Sequence, residues 1–190
     1  MGNREDLLTG ARKAILERGL AKVTARDIAK AAGVSLAAIG YHFGSKDRLV
    51  TEAVTTGLGS MIGDDMDAAI RAAGEGRTLG DSLPETWNGL TDVVFRHREN
   101  LMLSIENGIQ IARDPESQSF MVEVTAEAYN DLATVVGEAH PELSATEARA
   151  VGKLFYVLFQ GMAMQALIAP AAEPLDGDDL ERAVGAIRGG

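Results

Sequence analysis

Apolar residues recur at intervals of three and four along almost the whole chain, and this helical period limits the possible folds more than any other feature. A first helix is predicted over about residues 4–18, and its apolar positions are Leu7, Leu8, Ala11, Ala14 and Ile15. No run of residues stands out as a strand. We therefore expect an all-α fold, and a chain of 190 residues is long enough to bury a substantial core.

The composition is that of an ordinary soluble protein, with 46% apolar and 24% charged residues. Cysteine is absent, which excludes disulfides, thiolate nucleophiles and sulfur-ligated zinc. The opening Met-Gly-Asn-Arg-Glu-Asp carries charges where a signal peptide needs an apolar run. We therefore expect no export by that route, and a cytoplasmic location.

Charge is distributed unevenly along the chain. Residues 1–50 hold nine Lys and Arg against five Asp and Glu, a balance of +4. The whole chain has 18 basic and 28 acidic residues, so the other 140 residues hold 9 and 23, a balance of -14. A basic head on an acidic body is expected when one end meets a polyanion. Chance segregation of surface charge is the alternative.

Two short helices and a tight turn are predicted after the first helix. Thr24 is placed to cap the first of them, and Gly33 supplies the left-handed residue that ends it. Ser35 is placed to cap the next helix, over about 35–42. Ala29 suits a close helix crossing, and Ile39 holds the second helix to the first. This spacing predicts a helix-turn-helix.

The residues that follow support an anion-binding surface. Tyr41 and His42 place polar-tipped rings at the end of the second short helix, suited to donate to phosphate oxygens. Phe43 is a natural core residue. Lys46 begins a further helix, whose exposed backbone N–H groups favour a phosphate together with its ammonium.

The segment Ala11–Ala53 resembles the DNA-binding head of the TetR family of bacterial transcriptional regulators. The resemblance rests on T-x-R-D-I-A, A-G-V-S and Y-H-F-x-S-K-x-x-L, in the right order and spacing. It implies an all-helical homodimer, in which a three-helix head binds an operator and a small molecule in the body releases the DNA. The chain then divides into a helix-turn-helix domain, 1–46, and a ligand-binding and dimerisation domain, 47–190.

Carried over by position, the resemblance implies nine DNA contacts. Thr24 and Arg26 are phosphate or base-edge contacts, and Lys46 is a backbone clamp. The recognition helix contributes Ser35, Ala37, Ala38, Gly40, Tyr41 and His42. Many members have a larger residue at position 40, so base reading here is expected to depend on Arg26, Tyr41, thymine methyl groups and DNA shape. A solvated charge for Arg26 and a structural histidine for His42 are the alternatives.

Lys46 begins a long helix predicted to reach Ala73, which Gly57, Gly59 and Gly63 are expected to bend or end. If this helix moves on ligand binding, these glycines set how much motion reaches the head; close packing of a neighbouring helix against small residues is the alternative. Two helices follow, one with Pro84 in its first turn and its end near His97, the other over about 100–113. The resemblance implies that a cavity for a small apolar or amphipathic ligand lies in this region. Its candidate lining is Met61, Trp87, Leu90, Val94, Met102, Ile105, Glu106, Ile109, Met121, Phe155, Phe159 and Met162. Plain core packing is the alternative for most of them.

Two long helices are predicted near the C-terminus. Ser144 and Glu147 form a capping box at the start of the second, which is apolar nearly all round from Leu154 to Ala169. A membrane span needs about 20 residues, so a helix buried by its own core and by a second subunit explains this stretch better. The candidate dimer contacts are Thr125, Ala128, Leu132, Val135, Leu158 and Gln165. A symmetric dimer implies a palindromic operator.

No catalytic or metal-binding pattern is present in the sequence. The three histidines, His42, His97 and His140, have no second His three to five residues away and no Glu three residues before them. We expect no metal, no cofactor and no enzymatic activity. The alternatives are an activator or a partner-regulated DNA-binding protein of the same fold and, more remotely, a helical enzyme.

Overall fold

The computed structural model describes residues 4–189, and within this range the chain forms nine helices and no strand. Their bounds are α1 Arg4–Arg18, α2 Ala25–Ala32, α3 Leu36–Phe43, α4 Lys46–Gly74, α5 Leu79–Arg96, α6 Arg98–Ile111, α7 Pro115–Ala139, α8 Ala145–Ile168 and α9 Gly177–Arg188. The predicted all-α fold is confirmed. Residues 1–3 and 190, at the ends of the predicted head and body, lie outside the described residues.

Most helix ends follow the local signals in the sequence. Thr24 and Asp27 form a capping box at the start of α2, and Ser144 and Glu147 form another at the start of α8. Gly33 ends α2 with φ of 67°, in the left-handed region that glycine adopts without strain. Ser35 occupies the predicted capping position of α3, but its side chain makes no capping hydrogen bond.

Two predicted helix boundaries were wrong because a capping residue lies elsewhere. α5 begins at Leu79, where Thr78 accepts a hydrogen bond from the backbone N–H of Asp81, so Pro84 lies inside the helix. α6 ends at Ile111, two residues earlier than predicted. Pro115 is the first residue of α7, and Asp114 caps this helix by accepting a hydrogen bond from the Ser117 N–H at 2.9 Å.

The structure differs from the predicted helices in two further places, the middle of α4 and the C-terminal helix α9. α4 continues without a break past its internal glycines, so it does not end in its middle. The helix α9 was not predicted from the sequence. Asp176 caps its first turn by accepting a hydrogen bond from the Asp179 N–H at 2.8 Å.

The chain packs as two compact units. The head unit comprises the described residues up to Met61 together with Met102–Val122, and the body unit comprises Ile62–Leu101 and the described residues from Glu123. The long helices α4 and α7 contribute residues to both. The predicted division of function at residue 46 stays a prediction.

The core of the head unit is built from α1, α2, α3 and the first turns of α4. Its fifteen buried apolar residues are Leu7, Leu8, Ala11, Ala14, Ile15, Leu20, Val23, Ile28, Ala29, Ile39, Phe43, Leu49, Val50, Ala53 and Val54. Leu103 of α6 packs against this core. Gly10 allows α1 and α2 to approach closely, since a Cβ there would stand 2.6 Å from the Cβ of Ala32.

The core of the body unit is centred on Trp87 and Phe155, both fully buried. Gly152 lets α8 pack against α7, because a Cβ at this position would stand 3.1 Å from Leu132. The segment before α9 is fastened to α5, since the Trp87 indole N–H donates to the Leu175 carbonyl at 2.8 Å. The Gly177 N–H likewise donates to the Asn88 side chain at 2.9 Å.

Candidate nucleic-acid interface

The turn between α2 and α3 is held from behind by apolar side chains. Ala29, Ile39 and Phe43 are all buried, as the sequence predicts. The Val34 N–H donates to the Ala29 carbonyl at 3.0 Å and the Gly33 N–H to the Lys30 carbonyl at 3.3 Å. The orientation of α3 is therefore determined by its inner face, and its outer face is left available.

The outer face of α3 carries small and polar side chains. Ser35, Ala37 and Gly40 are exposed, and Tyr41 is 81% exposed. Ala38 and His42 are half-buried. A Cβ at Gly40 would meet no heavy atom within 4 Å, so nothing in the fold requires glycine there. This surface permits the close approach of another molecule along much of α3.

The start of α2 presents one engaged and one exposed polar residue. The Thr24 hydroxyl donates to Asp27 at 2.6 Å, and its oxygen accepts from the Asp27 N–H at 3.2 Å. Hydrogen bonds from the Thr24 side chain and backbone N–H lower the pKa of Asp27, which keeps this carboxylate charged. Contact of the Thr24 hydroxyl with a phosphate therefore competes with the cap. Arg26 is exposed.

The start of α4 is capped by a residue that the sequence analysis did not assign. The Ser45 hydroxyl accepts from the Arg48 N–H at 3.0 Å. Lys46 is half-buried, and its ammonium lies 2.9 Å from the carboxylate of the adjacent Asp47. The motif S-K-D-R thus combines a helix cap with a cation whose charge is partly compensated.

The buried carboxylate of Glu52 links α1 to α4. Glu52 is 3% exposed and pairs with Arg4 of α1 and with Arg48, the latter at 2.8 Å. Arg4 also lies over the ring of Phe43, the last residue of α3, at 4.9 Å. Sequence spacing identifies only the pair of Arg48 and Glu52 on one helix, because Arg4 is brought to them by the tertiary fold.

Residues 7–53 match the family described as "Bacterial regulatory proteins, tetR family". The chain carries a TetR-family domain. This TetR-family domain contains α1, α2, α3 and the start of α4, and the resemblance proposed from the sequence is confirmed.

Two curated relatives match part of the chain. The chain is 39% identical over 71 residues to the HTH-type transcriptional regulator BetI of Agrobacterium fabrum, covering 37% of this chain and 34% of BetI. It is 40% identical over 62 residues to the HTH-type transcriptional repressor KstR2 of Rhodococcus jostii, covering 33% of this chain and 30% of KstR2. The chain thus matches about a third of the length of these relatives.

Similarity of fold extends over almost the whole chain. The structure of the multidrug binding protein EbrR complexed with imidazole has a TM-score of 0.60, with 97% of this chain and 93% of that chain covered. Sequence identity is 21%, so this likeness establishes the fold and nothing more.

The twelve predicted ligand residues divide between the two units. Trp87, Leu90, Val94, Phe155, Phe159 and Met162 are buried in the body unit. Met61, Met102, Ile105, Glu106, Ile109 and Met121 belong to the head unit. Met61, Met102 and Ile109 are about half exposed. The reason is that α6 turns Leu103 and Asn107 inward, which leaves Met102 and Ile109 on the opposite side.

A surface depression of about 790 Å³ lies in the body unit, and none of the predicted ligand residues lines it. Its walls are Arg71, Ala72, Gly74, Glu75, Gly76, Arg77, Thr78, Glu138, Ala139, Pro141 and Glu142. Among residues 4–189, no group of three or more His, Asp or Glu side chains is arranged to hold a metal ion.

The predicted dimer contacts also fall into two sets. Leu132 and Val135 are buried within the body unit, where they belong to the core of the subunit. Thr125, Ala128 and Leu158 are half-buried, and Gln165 is exposed. The i, i+3, i+4 pattern of apolar residues does not distinguish a helix face that packs on the chain's own core from one that packs on a second subunit.

The helix α8 has an exposed apolar face. It is the one helix among the described residues long and apolar enough to span a membrane by length and composition, a test that core helices of soluble proteins also pass. Only 28% of its most apolar window is buried. Leu154, Val157, Met164 and Ile168 are all 42% or more exposed.

Proposed function

We propose that the protein is a DNA-binding transcriptional regulator, a dimeric repressor that a small apolar or amphipathic ligand releases from a palindromic operator. The observation that carries this proposal is the outer face of α3, which is exposed and built from small and polar residues over a buried anchor of Ile39 and Phe43. The charge balance of +4 in residues 1–50 favours the phosphate backbone as its partner. The names of BetI and KstR2 support the same role.

We infer the dimer from α8. An apolar face that remains exposed along the helix is unfavourable in water, and a second copy of the same helix would bury it. Two heads related by two-fold symmetry would then read two half-sites about one helical turn of DNA apart.

We infer the ligand class from the body unit. Trp87, Phe155 and Met162 supply large apolar and polarisable surface, and the Thr91 hydroxyl lies 3.2 Å from the Met162 sulfur. The Thr86 hydroxyl is buried without a hydrogen-bond partner among the described residues, so a polar group of a ligand would satisfy it.

The test is a gel-shift titration of the full chain against the intergenic DNA upstream of its own gene, at two salt concentrations. Tight binding that weakens with salt, and that is weaker in Lys46→Ala and His42→Ala, is expected. Absence of binding both to this DNA and to duplexes enriched from a random library would overturn the proposal. Release of the bound DNA is then assayed with imidazole and with an apolar dye.

A further inference from the structure

We propose that Glu116, at the start of α7, limits the affinity of the head unit for DNA by placing an unpaired negative charge beside the turn between α3 and α4. This inference rests on the proposed DNA-binding function. Glu116 lies outside the helix-turn-helix segment, more than sixty positions further along the chain, and would be an additional residue that affects DNA binding.

The contact between Glu116 and the turn is direct. Gly44 joins α3 to α4 with φ of 73°. A Cβ built on Gly44 would stand 3.0 Å from one carboxylate oxygen of Glu116 and 3.7 Å from the other. The carboxylate therefore packs on the face of Gly44, next to Ser45 and two residues before Lys46. Two residues of chain span at most about 7 Å, so the carboxylate is close to the proposed phosphate clamp.

Other contacts fix the first two turns of α7 against α4. The Thr51 and Ser117 hydroxyl oxygens are 3.2 Å apart, and both residues are buried. The guanidinium of Arg48 lies over the ring of Phe120, 3.7 Å from its centre. These contacts hold the backbone of α7 in place, so only rotation of its own side chain can move the Glu116 carboxylate away from Gly44.

The cations near Glu116 are engaged elsewhere. Lys46 pairs with Asp47 at 2.9 Å, and Arg48 pairs with the buried Glu52 at 2.8 Å. Among residues 4–189, no ion pair involves the Glu116 carboxylate. Asp114, two residues before Glu116, is a second carboxylate. Hydrogen bonds from the side chain and N–H of Ser117 lower its pKa, and the nearby charge of Arg48 lowers it further. The charge of the Glu116 carboxylate itself is therefore not neutralised by a direct ion pair with Lys46 or Arg48.

Repulsion at this distance is large enough to measure. The Debye length is about 8 Å at physiological ionic strength, so a phosphate held at the start of α4 feels the carboxylate without full screening. Coulomb's law with an effective dielectric between that of water and that of a protein surface predicts that neutralising Glu116 tightens DNA binding about threefold to tenfold.

The experiment compares full-length variants on a duplex that the wild-type protein selects from a random library, using fluorescence anisotropy. Glu116→Gln is expected to bind about threefold to tenfold more tightly at about 0.15 M salt, and this advantage should shrink towards 1 M salt. Glu116→Asp keeps the charge and should bind like wild type. Glu127→Gln is the matched control: it is an exposed acid on the same helix, about 16 Å further along the axis.

Three outcomes separate this inference from the proposed function. If Glu116→Gln binds no more tightly than Glu127→Gln while the wild type binds its duplex, the role of Glu116 is overturned and the regulator proposal stands. If Glu116→Lys fails to tighten binding beyond Glu116→Gln, the effect is not electrostatic and the inference also fails. If the wild type selects no duplex at all, the proposed function fails, and the inference fails with it.

Discussion

The outer faces of α3 and α8 are both exposed, yet their chemistry is opposite. α3 presents Ala37, Gly40 and the polar-tipped ring of Tyr41, whereas α8 presents Leu154 and Val157. Water tolerates the first surface at little cost, while an apolar stripe on α8 carries a hydrophobic penalty until something covers it. Exposure alone therefore does not indicate what kind of partner a helix face binds. The chemistry of the exposed side chains does indicate it.

The inner faces of the same two helices are alike. α3 is anchored by Ile39 and Phe43, four positions apart, and α8 by Phe155 and Phe159 at the same spacing. One helical period thus generates the core in both units. The two regions differ in the side chains at the remaining, exposed positions.

The largest effect is expected from removing the anchor of α3. Ile39→Ala should lower the free energy of unfolding by about 2–5 kcal/mol, because the side chain is buried and the cavity left behind cannot close fully. Urea denaturation measures this change. Gly40→Ala is the neighbouring control, since its new methyl meets open space. Equal unfolding free energies for the two variants would contradict the anchoring role of Ile39.

The next effect concerns the outer face of α8. Val157→Glu places a charge on the apolar stripe and should weaken self-association about tenfold or more, because burying an unpaired carboxylate is costly. Sedimentation velocity measures the dimer. Ala68→Glu adds the same charge at an exposed position of α4 and should leave the dimer intact. A wild type that stays monomeric at high concentration would show that α8 does not form the interface.

A smaller effect distinguishes two glycines of α4. Gly59→Ala should stabilise the protein by about 1 kcal/mol, since a Cβ there meets nothing within 4 Å and alanine favours the helix. Gly57→Ala should gain less, because its Cβ would stand 2.8 Å from the side-chain Nε of Arg12. That Nε donates to the Ala53 carbonyl at 3.1 Å. Thermal unfolding compares the variants.

The same glycine pair tests whether the flexibility of α4 matters for induction. If it does, the double replacement of Gly57 and Gly59 by Ala should weaken ligand-induced release without abolishing DNA binding. Unchanged release would contradict that hypothesis.

The smallest effect is the dependence of stability on pH, and it should be present in both units. Hydrogen bonds from Thr24 lower the pKa of Asp27, and those from Ser144 lower the pKa of Glu147. A carboxyl whose pKa is lower in the folded state adds stability above its unfolded pKa and loses it as the pH falls through the folded pKa. Stability should therefore decline below about pH 4.

Asp27→Asn isolates the contribution of the cap in the head unit. The variant should be less stable than wild type at neutral pH, and the difference should shrink under acid. Denaturation curves at several pH values check this expectation. A difference that stays constant with pH would mean that the charge of Asp27 does not contribute.

Much of the fold could be predicted because its signals are local. The caps at Thr24 and Ser144 and the turn at Gly33 each depend on residues within four positions of one another, as does the helical period itself. The helix α3 that carries the candidate contacts was found for the same reason, whereas the contacts themselves come from the family resemblance and stay a prediction. Boundaries failed where two local signals competed, as at Thr78 and Pro84.

What the sequence alone determined is where helices form and which side of α3 faces outward, because these follow from spacing along one element. Only the tertiary structure decided that Leu132 and Val135 belong to the subunit's own core and that α6 exposes Met102. It also decided that the Glu116 carboxylate rests on Gly44. Such contacts join residues far apart in the chain. A helical pattern in the sequence indicates that a face is apolar, but it does not indicate which surface covers that face.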